Sequence, residues 1–178
     1  EYVTETDGDL EITETGQKLS KIYGERDLLV AECIGRRVWH HVDAQTLAAI
    51  AASLVYEARR DDDSLTPKMP KGEFVAVYDE TLEVWDDLQA LAKAHNLPLS
   101  NEPDSSMALQ MHRWATGSRL DSVLKQTGML AGDFIRWCKQ TIDLLEQISK
   151  VNPDELSATA QSAIDQIKRG IVAYSYYA

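Results

Sequence analysis

The chain has 178 residues, 44% of them hydrophobic and 26% charged, with a formal net charge of -11. This is ordinary globular composition, sufficient for one domain with a real core, and charges interrupt every apolar run well short of the roughly 20 residues that cross a bilayer. The acidic excess opposes capture of a polyanion through the overall field.

Apolar residues recur at helical spacing through most of the chain, and period-2 alternation is confined to Phe74-Val75-Ala76-Val77-Tyr78, so the pattern predicts an all-α bundle of about seven to eight helices. Residues 1–12 read as an acidic arm preceding a helical domain over 13–178. The start has neither an initiator Met nor a basic or apolar leader, which suggests a cut inside a longer protein. A first helix is expected from Thr13 or Thr15. After a break at Gly24, a second runs from Asp27 to Arg37. Asp43 is placed to cap a third, whose Leu47, Ala48, Ile50, Ala51, Leu54 and Val55 are almost free of charge and predict the most buried element. From 59 to 78 the chain turns to paired arginines, three aspartates, Pro67, Pro70 and Gly72, which predicts a long surface loop. Helices then follow over Asp79–His95, from a cap at Asp104 or Ser105 to Thr116, over Leu120–Gln126, over Leu130–Lys150 as the longest, and over Glu155–Tyr174.

Motifs for self-contained chemistry are missing. A phosphate-cradling Walker loop needs Gly-Lys followed by Ser or Thr, and no such triplet occurs, so ATP is not expected on this segment. A helical di-iron centre needs Glu-x-x-His, but Arg37, Val38, Ala92 and Leu109 stand three residues before the four histidines. His40 and His41 are adjacent, and consecutive helical side chains diverge by about 100 degrees, so two solvated imidazoles at a helix end are expected rather than metal ligands. Cys33 and Cys138 lie among apolar residues and are expected as buried thiols of a reducing, cytoplasmic compartment.

Charge is unevenly distributed. Residues 1–14 hold six carboxylates and no Lys or Arg, whereas from Met129 onward five basic residues nearly balance six acidic ones, so nucleic-acid contact is expected toward the C-terminus. On a helical wheel, Phe134, Cys138, Leu145 and Ile148 of the 130–150 helix share one side, with Ile135 and Ile142 at its edge. Opposite them runs a stripe of Asp133, Arg136, Gln140, Asp143, Gln147 and Lys150, flanked by Trp137 and Leu144. Such a stripe fits a plain solvated face. It also fits a single-strand track, because Arg136 and Gln140 can donate to phosphate or base edges and Trp137 offers a ring for stacking.

Trp114-Ala115-Thr116-Gly117, then Gly132-Asp133-Phe134-Ile135-Arg136 and Leu144-Leu145, resemble the DSHCT domain that ends superkiller-type and exosome-associated RNA helicases. The resemblance extends to residues 10–16, to Asp27-Leu28-Leu29, to residues 54–59 and to residues 167–172, and it is nearest the bacterial HelY-type branch. It implies a helical bundle packed on the RecA-like motor domains of the same chain, where ATP and Mg are bound. It also implies that the bundle guides single-stranded RNA during unwinding in RNA processing or decay. The helix after Gly132-Asp133 matches the family's ratchet helix, which implies strand contact by Arg136, Gln140 and Asp143, with Trp137 and Lys139 beside them. Gln140 and Asp143 depart from the Arg and Glu often found in eukaryotic members. A monomeric domain with weak RNA affinity of its own is expected. The alternative is a free-standing helical module that binds a protein through the 59–72 loop or the acidic arm. A small-molecule enzyme has only the His40-His41 pair in its favour.

Overall fold

A computed structural model describes residues 2–58, 68–98, 100–125 and 127–177. The fold is mostly helical, with nine α-helices among the described residues. None of them is long and apolar enough to cross a membrane.

The acidic arm has regular structure that the sequence pattern did not predict. It forms a hairpin of β1 (Val3–Thr6) and β2 (Asp9–Ile12), paired antiparallel with Val3 opposite Ile12 and Leu10 opposite Glu5. Asp7 and Gly8 turn it with φ of 54° and 91°, the paired left-handed conformation that matches strand twist. Thr13 caps α1 (Glu14–Leu19) by accepting from the Gly16 amide, and Arg26 precedes α2 (Asp27–Gly35).

Asp43 caps α3 (Ala44–Val55) by accepting from the Thr46 amide, and ten of its twelve residues are buried. Its alanines at 48, 49, 51 and 52 leave space for neighbours on every side, and it packs against α4 (Phe74–Ala94), α5 (Ala108–Ala115), α7 (Ala131–Ser149) and α8 (Glu155–Ile167). This is the charge-free element expected to be the most buried.

Helix α4 starts five residues before the expected Asp79 and, with 21 residues, is longer than α7 with 19. The alternation of Phe74–Tyr78 also satisfies a helix: Phe74, Val77, Tyr78, Thr81 and Val84 are buried at three- and four-residue spacing. The expected loop therefore ends earlier, and its 59–67 stretch lies outside the described residues, as does Gln126. Asp104 caps a 3-10 turn, Ser105–Met107, leading into α5, and α6 spans Leu120–Leu124. The expected last helix divides into α8 and α9 (Gly170–Tyr174). The division is tertiary in origin. Arg169 turns extended, lays its guanidinium 3.6 Å over the Trp114 ring and donates to the carbonyls of Trp114 and Ser118, while Gly170 takes φ of 48°.

His40 corrects another expectation: it is buried, at 2% exposure, with Nε2 3.2 Å from the Asp154 carboxylate that caps α8. His41 is exposed. Both cysteines are buried, and burial pushes the Cys33 thiol up to about 12 and the Cys138 thiol upward as well.

Candidate nucleic-acid interface

The buried stripe of α7 runs Phe134, Cys138, Thr141, Ile142, Leu145 and Ile148, at helical spacing. Its second half is covered on another side too. The chain between α1 and α2 folds over it, with Ile22 buried, the Tyr23 amide donating to Gln147 Oε1 at 2.9 Å and Lys21 reaching the Val151 carbonyl. Leu144 and Gln147 are buried as a result. The expected polar face is therefore continuous only from Asp133 to Asp143, where Arg136, Gln140 and Asp143 are exposed and Asp133 is half-buried.

Four of the five sequence-predicted residues lie together there. The Arg136 guanidinium sits 4.7 Å from the centre of the half-buried Trp137 ring and 3.9 Å from Asp133. Tyr56 meets Trp137 edge-on at 4.9 Å. Burial, and then the Glu146 carboxylate, raise the pKa of Asp143, with Lys139 offsetting part of the shift. Lys139 itself is turned elsewhere. It donates to the Ser175 carbonyl at 2.7 Å and lies 4.9 Å over the Tyr176 ring, which fastens α9 to α7.

Trp137, Gln140 and Asp143 form one wall of a groove of about 430 Å³; residues 22–27 and the end of α3 form the other. Sequence reading missed this second wall. Its signal was present in the Ile22-Tyr23 pair just before Gly24, although the pairing with Gln147, 124 residues away, is tertiary. Ile22, Val30, Leu54 and Leu144 are its buried apolar residues, and Glu25, Asp27, Glu57 and Asp143 bring carboxylates to it. Arg26 is the lining cation, but it is 7% exposed and donates to the carbonyls of Leu54, Asn101 and Glu102. The groove is thus rich in acceptors and poor in free positive charge. A phosphate is disfavoured inside it, whereas an aromatic ring bearing N–H donors finds both apolar contact and acceptors.

A second depression, about 690 Å³ between α2 and α4, is bordered by Arg36 and by Glu80, Glu83, Asp86 and Asp87. Arg36 is paired with Glu32 and Asp87, and none of the sequence-predicted residues borders this depression. Among the described residues, no group of three His, Cys, Asp or Glu side chains is placed to hold a metal ion.

The family model described as the DSHCT (NUC185) domain matches residues 9–175. The chain belongs to the DSHCT domain family. This DSHCT domain is similar to proteins described as probable helicase HelY: 36% identical over 173 residues to that of Mycobacterium tuberculosis H37Rv, and 35% over 176 residues to that of Mycobacterium leprae. These matches cover 91% and 93% of the chain but only 19% of each relative's length.

Proposed function

We propose that this DSHCT domain is an accessory domain of an ATP-dependent RNA helicase, packing on the RecA-like motor domains of its own chain and guiding single-stranded RNA along α7. The observation that carries the strand contact is the exposed run of Arg136, Gln140 and Asp143 beside Trp137, opening on a groove of nucleotide size. The HelY relatives support the helicase setting. Arg136 meets a phosphate outside the groove, while the groove takes bases, with Trp137 as apolar wall and Gln140, Asp143 and Glu57 accepting from ring N–H and amino groups. Lys139 keeps α9 in place. ATP and Mg belong to the motor domains, and the setting is cytoplasmic RNA processing or decay.

Arg136→Ala in the full-length helicase tests this. The side chain is 56% exposed and its 3.9 Å contact with Asp133 is an exposed surface pair, so stability should change by no more than about 0.5 kcal/mol. RNA unwinding should fall, and the salt dependence of RNA binding should lose about 0.7 of logarithmic slope, the share of one single-strand phosphate. Normal unwinding at several salt concentrations would show this face to be solvated surface only.

A further inference from the structure

The hairpin is two-faced. Val3, Glu5, Leu10 and Ile12 occupy one face and Thr4, Thr6, Asp9 and Glu11 the other, as the register and the alternation of strands require. The apolar face is largely exposed: Val3 is 50% exposed, Leu10 77% and Ile12 64%, and Ile12 reaches Gly16 of α1 through its Cγ2 methyl. The base of the hairpin is built onto the domain. The Thr13 amide donates to the Tyr2 carbonyl, the Tyr2 hydroxyl bonds Glu32, and Gly16 lets the chain approach so closely that a Cβ there would lie 2.1 Å from the Tyr2 oxygen. Two strands with no third layer are marginal in water, so a fixed hairpin with a largely exposed apolar face lacks its other half.

We propose that this face docks on the rest of the helicase chain, against a surface that is apolar at its centre and basic at its rim. The charges select that partner. Glu5 lies on the face itself, Asp7 at the turn and Asp9 and Glu11 on the opposite face, and the nearest cation in sequence, Lys18, is paired with Glu14, so the hairpin carries an acidic excess that repels RNA; a second copy would bring the same acidic hairpin and a net charge of -11. The HelY relatives leave about four-fifths of their length outside this domain to supply the surface. The inference rests on the helicase setting proposed above, but not on strand contact by α7.

The test is alkylation of Leu10→Cys in the full-length chain, read by mass spectrometry of the hairpin peptide. Thr4→Cys on the opposite face and Asp121→Cys, a surface site, serve as references. Leu10→Cys should react more than roughly tenfold more slowly than both, a ratio unchanged by RNA or by dilution. Reaction at the reference rate overturns the proposal. Protection only with RNA present, or protection lost on dilution, overturns it in favour of RNA or of a second copy. ATP-dependent unwinding by the same preparations reports separately on the helicase reading, because the alkylation ratio does not depend on it.

Discussion

Arg26→Ala should be among the more damaging single changes in this domain. The guanidinium donates from Nη1 to the Leu54 carbonyl at 2.7 Å, from Nε to Asn101 at 3.1 Å and from Nη2 to Glu102 at 3.1 Å. Leu54 lies in the last turn of α3, so one cation satisfies a buried helix-end carbonyl, complements the negative end of the helix and holds residues 101–102 against it. A hydrogen bond from a charged donor contributes about 1.5–3 kcal/mol. The Asn101 and Glu102 carbonyls belong to exposed residues and recover water, so the full penalty falls on Leu54, together with about 0.3–1 kcal/mol of helix-end charge. The sum is about 2–4 kcal/mol, and at about 2–4 °C per kcal/mol for a domain of this size the melting temperature should fall by about 4–16 °C. Urea unfolding with an unchanged m-value would measure it. Arg26→Lys should recover little, because an ammonium cannot span three carbonyls that a planar fork reaches together. A loss under about 0.5 kcal/mol for Arg26→Ala, or wild-type stability for Arg26→Lys, would refute the reasoning.

Leu145→Ala removes a fully buried side chain on the core side of α7 and should cost about 2–5 kcal/mol in urea unfolding, lowering every activity together, unlike Arg136→Ala. Asp154→Asn should change the acid limb of stability. Burial alone raises the Asp154 pKa, but the Ser157 amide, the His40 ring and the Leu156 amide outweigh it, so the carboxyl titrates below its ordinary value of 3.8. A depressed carboxyl contributes stability that is fully present above about pH 4 and is lost as pH falls through the folded-state value. Unfolding free energies measured from pH 6 down to pH 2 should therefore converge for Asp154→Asn and wild type at the acid end; parallel curves would exclude the linkage.

Local signals in the sequence were reliable where the chain decides its own conformation. The cap at Asp43, the cap at Asp104 or Ser105, the helix start at Thr13 or Thr15 and the charge-free α3 were legible because each depends on neighbours within one turn. Legibility failed where two periods coincide or where a distant partner decides. Phe74–Tyr78 satisfies both strand alternation and helical spacing, and only its packing resolves the two. In the hairpin, acidic residues masked the alternation of Leu10 and Ile12, although Asp7-Gly8 is a turn signal in its own right. The burial of Gln147 and the diversion of Lys139 depend on Tyr23 and Ser175, and no wheel drawn on α7 alone contains them. The break before α9 depends in the same way on Trp114, 55 residues before Arg169.

These distant partners narrow the candidate interface in a way that suits the proposed role. With Gln147 buried and Lys139 holding α9, the exposed track runs from Asp133 to Asp143, about 15 Å of helix, and Arg136 is the cation it presents. One phosphate contact gives little affinity and little salt dependence. Acidic neighbours at Asp133, Asp143 and Glu146 further limit the dwell of a phosphate on this face. A domain that held RNA tightly would oppose strand movement at each step. One that offers a cation, an aromatic wall and acceptors for bases can orient the strand and release it, leaving grip to the motor domains. Under the proposed reading, low RNA affinity of α7 would follow from the same acidic composition that, at the hairpin, would favour a basic-rimmed protein surface over RNA.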